Sequence, residues 1–178
     1  MDEGSHSLLA SPDVLTEATL PAALVARLAG APAAGADSSG TTSTTATPPT
    51  KVIWVEAGDE VLVHLDSIRA KILDRLLLVS VDFETDQTGR ATLVVSLAVG
   101  GDGDLAGLVA TTDELPRGNG LLAARWGHIL QDAVWSALFA IAQDLARAHG
   151  GVPIGISAVP GLLKFVSGGA VSYQGVRA

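Results

Sequence analysis

Residues 121–149 limit what this chain can fold into more than any other stretch, because they read as one long helix carrying two separate apolar stripes. Trp126, Leu130, Ala133, Ala137 and Ile141 recur at helical spacing, and Val134, Leu138 and Leu145 widen that face enough to cover a sheet. Trp135, Phe139, Ala142 and Ala146 form a second stripe nearly opposite, bordered by His128, Gln131, Asp132 and Gln143. A helix on the surface of a one-core domain needs only the first stripe. The second therefore requires a cover, which is another part of the chain, a second protein or a ligand. Residues 116–120 break the chain before the helix, and Arg147, His149 and the pair Gly150–Gly151 mark its end.

On either side of this helix the apolar period is two. Residues 52–55 and 60–65, joined by Ala57-Gly58-Asp59, predict a hairpin with Val61, Val63 and Leu65 inward. Residues 68–73 fit a short helix capped by Ser67 or a strand, and the alternation of Ile68, Ala70 and Ile72 favours the strand. In the clearest hairpin, Leu77, Val79, Val81 and Phe83 face Ala91, Leu93, Val95, Leu97 and Val99 across the turn at 86–89, with Gly89 supplying a positive φ. A short strand at 105–111, a terminal hairpin from 154–158 and 162–167, and a last strand near 171–173 complete the reading. The expected fold class is α+β: an antiparallel β-sheet of hairpins packed against one long α-helix, preceded by a disordered N-terminal tail.

The tail is residues 1–50 and the α+β domain residues 51–178. All seven aromatic residues lie after position 50, and residues 30–50 contain no large apolar side chain, which marks a flexible low-complexity linker. Residues 12–29 stand out from it as a short helical segment, with Ser11 as a cap, Pro12 and Leu15 in a first turn, and a second helix from Pro21 with Leu24, Val25 and Leu28 on one face. Helices this short need a surface to lie on, so the segment is expected to dock.

The net charge of −8 is spread evenly, with five acids and one base in residues 1–50 and fourteen acids and ten bases after them. No Lys or Arg cluster exists to neutralise phosphates, so no nucleic acid and no anionic membrane surface is expected as a partner. The absence of Cys excludes disulfides, thiolate metal sites and cysteine nucleophiles. The acidic start lacks the features of a secretory signal, no run is apolar enough to span a bilayer, and a cytoplasmic location is expected. The Ala-, Val- and Asp-biased composition resembles that of proteins from high-GC bacterial genomes.

Several constellations resemble chemistry without completing it. Asp82, Glu84 and Asp86 offer oxygen ligands but no loop gathers more of them. Glu60, His64 and Asp66 share a strand face but have no nucleophile in register. Ser157 sits in Gly155-Ile156-Ser157-Ala158 without the second glycine of a nucleophile elbow. Residues 100–104 are glycine-rich but acidic, so a phosphate would be repelled. No catalytic residue, metal ligand or cofactor follows from these. The expectation is a non-catalytic protein–protein interaction or structural module, a small component or adaptor of a bacterial assembly that binds a protein partner or itself. Its contacts are expected at Trp135 and Phe139, rimmed by His128 and Asp132, with Leu24 and Leu28 of the tethered segment as a second contact. The alternative is a small apolar-ligand-binding protein or enzyme with a pocket between sheet and helix, lined by Phe83, Leu93, Val95 and Trp126.

Overall fold

The structure, a computed structural model, describes residues 13–29, 49–99, 109–111 and 118–169. The elements in chain order are β1 (Asp13–Thr16), α1 (Leu20–Leu28), β2 (Lys51–Glu56), β3 (Asp59–Leu73), β4 (Leu76–Thr85), β5 (Gly89–Val99), β6 (Val109–Thr111), α2 (Gly120–Ala148), β7 (Gly151–Val159) and β8 (Leu162–Gly169). Strands β2 to β6 form a five-stranded antiparallel meander, and β1, β8 and β7 form a second antiparallel sheet in that order. The α+β class with one long helix is what the two periodicities required.

The meander follows from its turns and its alternation. Ala57 and Gly58 both adopt positive φ (49° and 87°), the two-residue turn whose twist matches a hairpin. Leu77, Val79, Val81, Phe83, Leu93, Val95, Leu97 and Val99 are all buried on the inner face. β3 runs unbroken through residues 68–73, but its pairing with β4 shifts between His64 and Arg69. The Ser67 hydroxyl spans this irregularity, donating to the His64 carbonyl at 2.6 Å and accepting from Asp82 N–H at 2.7 Å.

α2 lies across the inner face with Trp126, Leu130, Val134, Ala137, Leu138 and Ile141 buried. The Asn119 side chain caps it, accepting from Leu121 N–H at 3.1 Å. Gln131, expected to border the outer stripe, is instead buried, and its Nε2 donates to the Ser96 carbonyl at 3.1 Å. The two sheets meet at their hairpin tips, where Arg75 N–H donates to the Ala158 carbonyl at 3.0 Å and Gly161 N–H to the Ile72 carbonyl at 2.9 Å.

The segment 12–29 differs from its sequence reading in its first half. Asp13–Thr16 is a strand rather than a helical turn, because β8 offers it a pairing edge, in register Asp13 with Phe165 through Thr16 with Leu162. Thr19 makes no cap bond to α1; its hydroxyl accepts from Thr16 N–H at 2.8 Å and closes the strand-to-helix turn. α1 then buries Leu20, Leu24 and Leu28 completely, each at 0% exposure. The Glu17 carboxylate accepts from Ile72 N–H at 2.8 Å, and Arg27 forms an ion pair with Asp144 of α2. The short helix is thus docked on this chain's own core. The linker residues 30–48, the glycine-rich 100–104 and the strand expected near 171–173 lie outside the described residues. No helix among the described residues is long and apolar enough to cross a membrane.

Candidate functional site

The outer side of α2 carries the aromatic pair singled out by the second stripe. Trp135 and Phe139, one helical turn apart, stack with ring centroids 5.8 Å apart and planes within 5° of parallel. Trp135 keeps 39% of its surface exposed and Phe139 is half-buried. Ala142 and Ala146, at the other end of the stripe, are buried within the chain. This chain thus covers one end of the second stripe and leaves the Trp135 end partly open. His128 and Asp132 are both exposed and continue the outer side of the helix toward its N-terminus.

Beside this face lies a cleft of about 470 Å³ between α2, the end of α1 and β2. Trp54 and Val55 of β2 face Trp126, Ile129, Ala133, Ala137 and Ala140 of α2 across it, with Arg27, Glu56 and Asp132 among its polar residues. Arg125 fixes one end: its Nη2 donates to the Glu56 carbonyl at 2.6 Å and its Nε to Asp59 Oδ2 at 2.8 Å, tying the β2–β3 turn to α2. Trp54 also meets Phe83 edge-on at 5.6 Å, and its buried indole N–H has no acceptor among the described residues. Sequence reasoning singled out Asp132 as a rim residue of the outer stripe and Trp126 as a pocket wall, but not this cleft with its β2 wall, since strand neighbours of a helix cannot be read from periodicity.

Leu24 and Leu28, expected as contacts to a partner, sit in the core beneath this region and present no surface. Of the residues proposed to line a pocket between sheet and helix, Phe83, Leu93 and Val95 are closed into the core, and only Trp126 reaches the cleft.

The outer face of the meander brings together two groups that the sequence kept apart. The register sets His64 opposite Asp82, and His64 Nε2 donates to Glu84 Oε2 at 2.7 Å, while the other ring nitrogen is buried without a partner among the described residues. Glu60, Asp66 and Asp86 remain exposed. The Thr92 hydroxyl donates to Asp82 at 2.6 Å, and with Arg90 Nε at 2.8 Å it holds the Asp82 carboxyl below its ordinary value, against the upward pull of partial burial. A carboxyl depressed in the folded state stabilises it above the unfolded pKa of about 3.9 and loses that contribution as pH falls through the folded value. Replacing Asp82 by Asn should therefore flatten the loss of thermal stability below about pH 4, read by melting curves across an acid series. An Asn variant whose acid slope matches the parent chain would refute this linkage.

No group of three or more His, Asp or Glu among the described residues is placed to hold a metal ion. Ser157 lies in the middle of β7, paired with Lys164, rather than at a strand-to-helix turn. No known protein family, characterised protein or solved structure matches this chain.

Proposed function

We propose that this chain is a non-catalytic protein-interaction module, a small component or adaptor of a bacterial assembly acting in the cytoplasm. The observation that carries this reading is the stacked Trp135–Phe139 pair, held partly open on the outer side of α2 beside an apolar cleft. Aromatic side chains dominate the energy of protein interfaces, and a pair already stacked has little rotamer freedom left to lose on binding. His128 and Asp132 supply the polar rim that surrounds such a centre. A small apolar ligand has weaker support, because most of the walls proposed for it are closed into the core.

Changing Trp135→Ala together with Phe139→Ala is expected to lower the sedimentation mass of a self-associated chain or to remove a cross-linked protein partner. The folded state should survive, since Trp135 keeps 39% of its surface in water. A double variant with unchanged mass that retains every partner of the parent chain would overturn the proposal.

A further inference from the structure

We infer that the edge of β2 that no described strand pairs takes up an extended segment of a partner protein as an added strand, whose cleft-facing side chains are apolar with Lys or Arg among them on that same face. The inference rests on the interaction reading above and gives the partner its form and charge.

The sheet edges of this fold are not equivalent. An open edge invites pairing with another chain, and proteins commonly blunt it by shortness, proline or bulges. β1 has four residues and β6 three. β7 carries Pro153 and a register shift between Pro153 and Gly155. Among the described residues β2 shows neither proline nor bulge: Lys51–Glu56 reads KVIWVE and pairs with β3 without a shift from Lys51 opposite His64 to Glu56 opposite Asp59. Ile53 and Val55 are 60% and 44% exposed on it.

The hairpin geometry tells which backbone groups are available. A two-residue turn at Ala57-Gly58 makes Glu56 and Asp59 a hydrogen-bonded pair, and the antiparallel alternation repeats this at Trp54 with Val61 and Val52 with Val63. The N–H and C=O groups of Lys51, Ile53 and Val55 then point away from β3. None of them bonds to any described residue. These are the donors and acceptors that strand addition uses.

Inward-pointing side chains of an added strand fall on the same side as Trp54, whose wall of the cleft faces Trp126, Ile129 and Ala133. Trp54 adds a buried indole donor that lacks an acceptor among the described residues. The charge at the cleft selects the occupant. Arg27 is engaged by Asp144, whereas the carboxylates of Glu56 and Asp132 form no ion pair or hydrogen bond with described residues. An apolar segment carrying Lys or Arg complements that arrangement, and an acidic one is repelled.

Amide hydrogen exchange on the full chain tests this, with an end-blocked peptide of about eight residues as the probe, threonine at every second position and leucine and lysine sharing the other face, and its counterpart with glutamate in place of lysine as the control. The lysine peptide is expected to slow exchange at Ile53 and Val55, and the glutamate peptide to leave it unchanged. Ile53→Pro removes one outward N–H at a position where an edge strand accepts proline, and it should weaken the lysine peptide on the order of tenfold. Glu56→Gln and Asp132→Asn leave the edge intact and should each weaken it about two- to five-fold. Unbound exchange rates at Ile53 and Val55 under saturating lysine peptide, or equal affinity for both peptides, overturn the inference. Protection that rises with protein concentration alone also overturns it, because the edge then belongs to a second copy. A partner lost only in the Trp135→Ala, Phe139→Ala variant, with β2 amides unprotected, defeats strand addition and leaves the interaction reading standing. Protected β2 amides in a chain whose helix variant changes nothing support strand addition and defeat the helix face.

Discussion

Deleting residues 1–29 is expected to abolish the cooperative unfolding transition, leaving a chain with strand and helix signals in the far ultraviolet but no fixed aromatic environment in the near ultraviolet. Leu20, Leu24 and Leu28 are each at 0% exposure, and burying a leucine side chain is worth roughly 1.5–3 kcal/mol. Together they supply roughly 5–9 kcal/mol, a large share of the roughly 5–15 kcal/mol that holds a typical domain folded. The deletion also removes β1 from the edge of β8 and the Glu17 carboxylate from the Ile72 N–H. Adding a peptide of residues 13–29 in trans should restore the near-ultraviolet signal, because its contacts are with surfaces the remaining chain supplies. A truncated chain that melts sharply at the parent temperature would show that the segment is peripheral.

Trp126→Ala should cost about 3–5 kcal/mol, read as a lower urea midpoint with an unchanged slope. The indole is only 2% exposed and stands where the core meets the cleft, with the Arg125 guanidinium 5.5 Å from its ring centre. Removing it leaves a void bounded by α2 and the inner sheet face, and the Arg125 link to Glu56 and Asp59 loses its packing support. A shift below about 1 kcal/mol would mean that the neighbours close over the gap.

What the sequence made legible is what depends on neighbours close along the chain. The inner residues of β4 and β5 announced themselves by strict alternation around a glycine turn, and α2 by a long period of 3.6. β1 is not legible locally, because Ser11, Pro12 and Leu15 imitate a helix start and its pairing with Phe165 and Leu163 depends on residues far along the chain. The His64–Glu84 contact depends on register across the β3 irregularity, which no motif encodes. The candidate site divides in the same way. Trp135, Phe139 and Asp132 could be read from helical spacing. The β2 edge could not, because being at an edge is a property of strand order. Leu24 and Leu28 were correctly seen as one apolar face, but their burial inside this chain depends on α2 and β3 lying above them.

The pairing of Asp13 with Phe165 has a consequence for synthesis of the chain. A ribosome adds about 5–20 residues per second, so Asp13 is synthesised roughly 8–30 s before its partner Phe165. Leu20, Leu24 and Leu28 wait in turn for α2, and until it is made three greasy side chains travel without that cover on a nascent polypeptide.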